Sequence, residues 1–250
     1  MNASILGVRV RTTSYAAATR QVIAWALAGE SRFVCAANVH MLMEAWDAPD
    51  FRELLNSADL VTPDGMPLVW LLRLKGFRRQ TRVYGPTLML HVLEAAAREK
   101  IAVGFYGGRP EVVEDLKEWM SRSYPQVKLA YAFSPPFQAL TPDQEQEIRQ
   151  QLCASGARLL FVGLGCPKQE RWMAAQRGEV PAVMLGVGAA FDFHTGAVRQ
   201  APRWVQVIGL EWLYRFSQEP GRLWKRYAIH NPRFVFLALA ELLGIIKVTR

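Results

Sequence analysis

Short apolar runs alternate with helix-like stretches along most of the chain. Each run has the length and composition of a buried strand, and the runs lie at 32–38, 58–63, 101–107, 128–133, 158–165 and 182–188. Between them, apolar residues recur at helical spacing, which predicts helices that include 14–29, 86–100, 109–123 and 141–155. Because parallel strands are joined by helical crossovers, this order predicts an α/β fold in which helices flank a parallel sheet.

The pattern changes after residue 188. A predicted loop, FDFHTGAVRQAPRW, leads into a helical, aromatic and basic segment, so we divide the chain into a domain at 1–200 and a C-terminal appendage at 201–250. Residues 203–250 carry +5 of the net charge of +8, and Arg215, Arg222 and Arg226 lie there among tryptophans and tyrosines. This composition favours a phosphate-bearing membrane surface as the partner, ahead of a subunit contact or a nucleic acid.

Composition narrows the classes of protein further. With 51% hydrophobic and 21% charged residues, the 250 residues are expected to form a substantial core. Three cysteines without CxxC spacing disfavour a disulfide framework or a zinc site and favour a reduced cytosol. We predict no secretory signal and no membrane span, because the longest apolar run, 234–246, is shorter than the roughly 20 residues that cross a bilayer. The four histidines are scattered in sequence and are interpreted as structural.

Three predicted strands end in glycine-bearing sequences: FYGGRP, VGLGCPKQE and LGVGAAFDF. Glycine lets a ligand approach the backbone, and the N–H groups of a following helix bind phosphate, so the three together favour a nucleotide, although each alone fits an ordinary turn. The absence of GxGxxG and GxxxxGK[ST] disfavours NAD enzymes and P-loop ATPases. The absence of DxD, HExxH and GxSxG disfavours metal-dependent sugar transferases, zinc proteases and α/β-hydrolases. The candidate nucleotide-binding glycines are Gly107, Gly108 and Gly165.

Polar residues beside these glycines are further candidates. Lys168 and Gln169 begin a predicted helix, where the lysine offers a point charge and the glutamine offers a donor and an acceptor to a phosphate or a sugar hydroxyl. The alternative is a solvated first helical turn. Asp192, in FDFHTG, is suited to accept hydrogen bonds from a base or a ribose, or to fix its own loop.

One carboxylate, Asp64, follows the strand-like run ADLVTP and precedes a glycine. This position is the carboxyl end of a predicted strand, where ligands bind in open α/β sheets. Asp64 is therefore a candidate functional acid. The alternatives are that it caps the helix predicted to start near Met66 or closes an Asx turn.

Several motifs follow one another from about residue 30 to residue 230. They are an asparagine at position 38 followed by a helix, ADLVTPDG, an arginine three residues before Gly85, FYGGRP, the dipeptide YP at 124–125, VGLGCPKQE, GVGAAFDFHTG, APRW and GLEWLYRFSQEPGRLWKRY. Together they resemble the WecG/TagA/CpsF glycosyltransferases. Because the motifs are ordered and cover most of the chain, the resemblance is specific.

The resemblance implies a Rossmann-like α/β catalytic domain with a basic helical appendage that associates with the membrane. The implied reaction is an inverting, metal-independent transfer of a hexose or N-acetylhexosamine from a UDP-sugar to a polyprenyl-diphosphate-linked sugar. Such enzymes make exopolysaccharides or teichoic-acid-type polymers at the cytoplasmic face of the bacterial inner membrane. The resemblance implies no cofactor, no metal and no nucleic acid, and it allows a homo-oligomer.

The motifs also assign roles to residues. Asp64 corresponds to the general base that deprotonates the acceptor hydroxyl, Asn38 and Gln169 would hold the donor sugar or the acceptor, and Arg82 would hold the diphosphate. Without a metal, arginines and helix N-termini must stabilise the charge on the leaving UDP. The candidates are Arg215, Arg222 and Arg226, from the same chain or from a neighbouring subunit.

Residue 36 departs from the family pattern, because Ala36 stands where relatives carry threonine. The donor sugar therefore stays open between glucose and N-acetylmannosamine or a derivative. Two other classes fit part of the pattern. A nucleotide-binding membrane-surface module without enzymatic activity would need the glycine-bearing strand ends and the basic appendage but not Asp64, and a nicotinamide-dependent oxidoreductase is disfavoured by the missing third glycine.

Overall fold

The computed structural model of the chain describes residues 1–136 and 138–246, except the side chains at 222 and 226. The strands in this part of the chain are β1 Asn2–Ile5, β2 Val8–Arg11, β3 Arg32–Ala37, β4 Leu60–Pro63, β5 Val103–Gly107, β6 Leu129–Phe133, β7 Leu159–Gly163 and β8 Val183–Gly186. The helices are α1 Tyr15–Leu27, α2 Val39–Asp47, α3 Pro49–Ser57, α4 Met66–Leu74, α5 Gly85–Glu99, α6 Pro110–Ser123, α7 Pro142–Ser155, α8 Lys168–Gln176, α9 Ala190–His194, α10 Arg203–Val207, α11 Glu211–Gln218 and α12 Pro220–Leu242.

Six of the strands form a parallel sheet in the order β4-β3-β8-β7-β5-β6. In the centre of the sheet, β8 pairs with β3 from Arg32 opposite Val183 to Cys35 opposite Gly186, and it pairs with β7 on its other side. Each strand that the apolar runs predict is present, but it is one or two residues shorter than its run at one or both ends. The predicted α/β class is therefore confirmed.

The chain divides into two compact units. The first unit comprises Met1–Ser14, Ala36–Tyr84 and Arg199–Arg250, and the second comprises Tyr15–Cys35 and Gly85–Val198. The C-terminal helices thus group with two earlier segments of the chain. The division at residue 200 stays a prediction.

In the second unit, aromatic rings pack on the sheet. Phe105 of β5 lies 6.0 Å from Phe161 of β7 and 5.6 Å from Phe191 of α9, measured between ring centroids, and all three side chains are buried. Helix α7 has well-defined ends, because Thr141 and Gln144 form a capping box at its start and Gly156 ends it in the left-handed conformation.

In the first unit, the last helix is fastened to the start of the chain. The carboxylate of Glu241 on α12 accepts from the backbone N–H of Leu6 at 3.3 Å and pairs with Lys75 Nζ at 3.0 Å. Earlier in α12, Arg233 forms a bidentate ion pair with Asp47 at the end of α2, with distances of 2.6 and 2.9 Å. These contacts fix α12 against the turn between β1 and β2, against α2 and against the end of α4.

Two features differ from the sequence-based expectation. Strands β1 and β2 pair as an antiparallel hairpin that the pattern of apolar runs did not predict. The segment predicted as a loop after residue 188 contains the short helix α9. None of the helices in the described ranges combines the length and the apolar character needed to cross a bilayer.

Candidate active site

The first unit contains a pocket of about 310 Å³. It has a wall of aromatic and apolar side chains and a cluster of charged groups. Four of the predicted site residues lie together in its lining: Asn38, Asp64, Arg82 and Arg215. The pocket therefore unites the proposed base with three of the proposed binding residues.

Asp64 is held at the end of β4 by the backbone of the neighbouring strand. Its N–H donates to the carbonyl of Ala37 at 2.8 Å, and the N–H of Gly65 donates to the same oxygen at 3.1 Å. The N-cap residue of α4 is Gly65, so Asp64 does not occupy the N-cap position of this helix. Asp64 is only 8% exposed, although it lines the pocket. The turn thus presents a largely buried carboxylate to the pocket.

Arg82 connects Asp64 to a second buried acid, Glu211 of α11. Its Nη2 lies 2.7 Å from Glu211 Oε2 and 3.7 Å from Asp64 Oδ1, and its Nε donates to the backbone carbonyl of Asp64. The hydroxyl of Tyr84 donates to Glu211 Oε1 at 2.5 Å, while the Tyr84 ring lies under the guanidinium at 3.9 Å. These contacts fix the guanidinium in one orientation beside the candidate base.

The protonation states in this cluster follow from its charges. Burial by itself lowers the pKa of Arg82, but the carboxylates of Asp64 and Glu211 outweigh it and raise that pKa above its usual value. Burial, followed by the charge of Glu211, raises the pKa of the Tyr84 phenol well above its usual value. Arg82 is therefore charged and Tyr84 is protonated at neutral pH, so each can act as a donor.

Asn38 lies close to the Asp64 turn. Its side-chain oxygen accepts from the N–H of Met41 at 3.2 Å and caps α2. A Cβ added at Gly65 would lie 3.3 Å from the Asn38 Cα, which explains why glycine follows Asp64. The capping bond gives the Asn38 side chain a fixed orientation at the pocket wall.

The C-terminal helices contribute Arg215 and part of the pocket wall. Arg215, on α11, is half-buried in the pocket lining. The side chains of Arg222 and Arg226, on α12, lie outside the described residues. The turn before α11 packs tightly on α4, since a Cβ at Gly209 would lie 2.6 Å from the ring of Trp70.

The chemistry of this pocket is suited to general-base catalysis. An aspartate carboxylate can accept a proton from a hydroxyl group bound within hydrogen-bonding reach. The aromatic wall, which includes Trp70, Trp212 and Tyr227, offers flat apolar surfaces of the kind that ligand pockets use.

In the second unit, the first glycine-bearing strand end is explained by packing. Gly107 has φ +112, and a Cβ there would lie 2.7 Å from the backbone of Gly163. Gly108 has φ +80, and its N–H donates to the Gly163 carbonyl at 3.0 Å. Gly107 therefore allows β5 and β7 to approach each other closely, Gly108 supplies the positive φ of the turn, and the role of both toward a nucleotide stays a prediction.

The other two glycine-bearing strand ends leave open space above their turns. Gly165 and Gly188 have φ values of +78 and +58, and a Cβ at either position would have no neighbour within 4 Å. Lys168, which is exposed, begins α8 three residues after Gly165. Gln169 connects the two turns, because its side-chain oxygen accepts from the N–H of Gly188 at 3.2 Å.

The first turn of α8 is largely buried. Gln169 is 4% exposed and Glu170 is fully buried, so a solvated first turn is wrong for these two residues and holds only for Lys168. The amide of Gln169 donates to Glu170 Oε1 at 2.6 Å. Burial raises the pKa of Glu170 to about 7. The hydrogen bond from Gln169 lowers this pKa, but by less than burial raises it. Near neutral pH this acid is therefore substantially protonated.

Asp192 lies on α9 in the second unit and is half-buried. Its Oδ1 lies 4.0 Å from Nη2 of Arg109, a loose ion pair across two glycine-bearing segments. The neighbouring His194 donates a hydrogen bond from Nε2–H to the Pro86 carbonyl at 3.1 Å, and burial lowers the pKa of this histidine. His194 is thus neutral at physiological pH, as expected for a structural histidine.

Two residues of the charged cluster, Tyr84 and Glu211, were not predicted from the sequence. Glu211 lies within the motif GLEWLYRF, of which only the arginine and the aromatic residues entered the prediction. Tyr84 immediately precedes α5. A glutamate surrounded by apolar residues at the start of a helix was the available signal for Glu211. Its partner could not be inferred, because 127 residues separate it from Tyr84.

Comparison with known proteins gives consistent matches. The Glycosyl transferase WecG/TagA/CpsF family matches residues 3–247. The chain is 33% identical over 208 residues to a Bacillus spizizenii protein named N-acetylglucosaminyldiphosphoundecaprenol N-acetyl-beta-D-mannosaminyltransferase, a match covering 83% of this chain and 78% of the relative. A Bacillus subtilis protein of the same name is 31% identical over 193 residues, which cover 77% of this chain and 73% of the relative.

Proposed function

Because the chain belongs to the WecG/TagA/CpsF family of glycosyltransferases, we propose that it transfers a hexose or N-acetylhexosamine from a UDP-sugar to a polyprenyl-diphosphate-linked sugar. The observation that carries the proposal is the pocket in which Asp64 lies beside Arg82, Glu211 and Tyr84. The names of the two Bacillus relatives specify a diphosphoundecaprenol-linked N-acetylglucosamine acceptor, which supports an acceptor of this class here.

In the proposed mechanism, Asp64 acts as the general base. Its carboxylate takes the proton from the acceptor hydroxyl, whose oxygen attacks the anomeric carbon while the bond from that carbon to the UDP oxygen breaks. A single displacement of this kind inverts the configuration at the anomeric carbon. General-base catalysis requires the carboxylate within hydrogen-bonding reach of the hydroxyl, and the narrow, partly buried setting of Asp64 suits that requirement.

Arginines would carry the electrostatic part of the reaction without a metal ion. Arg215 lines the same pocket as Asp64 and is a candidate for stabilising a diphosphate, with Arg222 and Arg226 as further candidates on α12. Arg82 stays a candidate for the diphosphate too, and its guanidinium is already oriented by Glu211 and Asp64. Asn38 would then position a sugar hydroxyl at the pocket wall.

For the uridine nucleotide, we assign the open strand ends of the second unit. Gly165 and Gly188 leave room for a close-approaching phosphate or ribose, Lys168 supplies a positive charge, and α8 begins there. Gln169 would act through its contact with Gly188, and Asp192 would accept from the base or ribose. Gly107 would shape this surface by keeping β5 close to β7, and Gly108 by the positive φ that it gives the turn after β5.

The C-terminal helices supply the proposed contact with the cytoplasmic face of the inner membrane. Large apolar side chains on α12 are exposed, among them Ile229, Phe236 and Leu239, and they accompany the positive charge of this segment. Deletion after residue 200 is expected to abolish sedimentation with vesicles that contain anionic lipid. Unchanged sedimentation of the shortened chain would contradict the membrane assignment.

The deciding experiment supplies radiolabelled UDP-sugars, one at a time, with a short-chain polyprenyl-diphosphate N-acetylglucosamine and EDTA. The panel includes UDP-N-acetylmannosamine and UDP-glucose, because Ala36 leaves the donor open. We expect one donor to be consumed, with inversion, and EDTA to leave the rate unchanged. Loss of activity in EDTA would overturn the metal-free mechanism.

Ligand-dependent melting separates this proposal from its rivals. UDP is expected to raise the melting temperature and NAD to leave it unchanged, because only a ligand that binds the folded state stabilises it. Stabilisation by NAD alone would favour a nicotinamide-dependent oxidoreductase. Stabilisation by UDP-sugars without turnover of any donor would favour a nucleotide-binding membrane-surface module.

A further inference from the structure

Two histidines and a glutamate converge where α12 packs on α2. His40 and Glu44 lie one helical turn apart on α2, and His230 reaches them from α12. His40 Nδ1 lies 3.6 Å from Glu44 Oε1, and the His40 and His230 ring centroids are 5.3 Å apart. One ligand atom from each of the three residues can be chosen so that all lie within 4.8 Å of one another. The glycosyl-transfer mechanism uses none of these three side chains.

The spacing of these atoms is close to that of a zinc site. Ligand atoms in a tetrahedral zinc site lie about 2.0–2.2 Å from the ion and therefore roughly 3.4 Å from one another. The His40 and Glu44 atoms already approach this separation, because an i, i+4 pair lies on one face of a helix. Rotation about the side-chain torsions of the partly buried His230 can bring its ring nitrogen about 1 Å closer to the other two ligand atoms.

The donor set also selects the ion. Two imidazoles with one carboxylate suit zinc and its neighbours among the transition metals, whereas magnesium and calcium prefer oxygen ligands alone. The set carries one negative charge when both histidines are neutral, so a divalent cation is compensated only in part. Three protein ligands also leave the fourth tetrahedral position for water.

We propose that His40, Glu44 and His230 bind one zinc ion, which fastens the C-terminal helix α12 to α2. The ion would act beside the Arg233–Asp47 pair, which joins the same two helices. His40 and His230 also line the pocket that contains Asp64, but the ion takes no part in the transfer, so its removal by EDTA is expected to lower the melting temperature and to leave the rate unchanged. The inference does not depend on the proposed reaction, since the ion is a fastening of helices and not a participant in the transfer.

The test uses the full chain, stripped of metal with a chelator and dialysed. Zinc is titrated against a chromophoric zinc indicator, and cobalt(II) is titrated separately while the visible absorption of the ion is recorded. We expect one zinc per chain, a rise in melting temperature with zinc, and cobalt absorption typical of a four-coordinate site. The absence of stoichiometric zinc binding would overturn the proposal.

Three variants locate the site: His40→Gln, Glu44→Gln and His230→Gln. Each is expected to weaken zinc binding by at least about tenfold, since even the loss of an outer-shell partner costs 10–100-fold in metal affinity. His91→Gln is the matched control, because His91 is exposed on α5 and distant in sequence from the cluster. Melting of each variant without zinc reports whether it is folded. Unchanged zinc affinity in the three folded variants, or equal loss in the control, would refute the assignment.

Discussion

Glu211 in the first unit and Glu170 in the second are both buried glutamates at the start of a helix, yet their surroundings differ. Glu211 faces the guanidinium of Arg82 at 2.7 Å and the hydroxyl of Tyr84 at 2.5 Å. Glu170 has the amide of Gln169 as its neighbour, and burial raises its pKa to about 7. The first unit compensates a buried acid with a positive charge, whereas the second keeps its buried acid close to neutral.

The difference indicates how each unit would serve the reaction. In the first unit, paired charges hold Arg82 in place beside Asp64, which suits a site where a proton moves and charge develops. In the second unit, the proposed nucleotide surface consists of open backbone at Gly165 and Gly188, and the buried side chain of Gln169 holds the Gly188 turn through its hydrogen bond. Substitutions should therefore affect catalysis in one unit and binding or stability in the other.

The largest effect is expected from Asp64→Asn. The amide keeps the size of the side chain but cannot accept the proton, so turnover is expected to fall at least about 100-fold, the scale of a lost general base. Turnover is measured at saturating donor and acceptor. Asp115→Asn, on the exposed face of α6, is the control and should retain full activity. Full activity in Asp64→Asn would remove the assignment of the base.

Glu211→Gln is expected to have the second largest effect. Removing one partner of this buried ion pair leaves Arg82 with only the longer 3.7 Å contact to Asp64, and loss of a buried partner costs about 3 kcal/mol or more in the free energy of unfolding. Turnover should also fall, because Arg82 is then free to reorient toward Asp64. Chemical denaturation measures the first effect. Tyr84→Phe keeps the ion pair and should cost about 1 kcal/mol, the typical net value of one hydrogen bond. Equal stability of Glu211→Gln and the unmodified chain would contradict the role of the pair.

Glu170→Gln should have the opposite sign. A carboxyl whose pKa rises on folding, here from 4.5 to about 7, binds more protons in the folded state, so its contribution to stability falls as the pH rises through this interval. The neutral glutamine removes that loss, and at pH 8 the variant is expected to be more stable by up to about 3 kcal/mol.

The measurement for Glu170→Gln is denaturation at a series of pH values from 4 to 8. The dependence of stability on pH should flatten between pH 4.5 and 7 in this variant, whereas Glu53→Gln, at an exposed position of α3, should leave it unchanged. An unaltered pH dependence in Glu170→Gln would show that the buried acid is not the titrating group.

A smaller effect than those of the buried acids is expected from Gly165→Ala, whose control is Gly156→Ala. Both glycines adopt the left-handed conformation, with φ of +78 and +74, and a Cβ at either would enter open space. Each alanine should therefore cost about 1–2 kcal/mol of stability. Only Gly165→Ala should also weaken UDP binding, by about tenfold, or 1.4 kcal/mol. Equal UDP affinity of the two variants would exclude Gly165 from the nucleotide surface.

Local pattern was sufficient for most of the sheet and its helices. The runs around Val103, Leu159 and Val183 predicted strands because central parallel strands are apolar on both faces. The β1–β2 hairpin escaped prediction for a local reason. Leu6 and Gly7 at its turn have φ of +48 and +84, and leucine rarely adopts such a conformation, so the sequence lacks the usual Asn-Gly signal.

The sequence predicts candidate site residues that directly follow a strand. It misses residues whose position depends on packing between segments that are far apart in the chain. Asp64 could be proposed because strand ends converge on one edge of a parallel sheet. Glu211 and the cluster of His40, Glu44 and His230 depend on how α11 and α12 pack on earlier segments, and no spacing in the sequence encodes that packing. The same limit explains why Gln169 was considered as a solvated residue although it is buried.

The contact between Leu6 and Glu241 joins residues that are 235 positions apart. At about 5–20 residues per second of synthesis, the N-terminal hairpin emerges from the ribosome on the order of 10–50 s before the carboxylate that completes its hydrogen bonds. The first unit, assembled from three separate segments, thus gains its last helix only when the segment around Glu241 has been synthesised. Throughout that interval the N–H of Leu6 lacks its carboxylate partner.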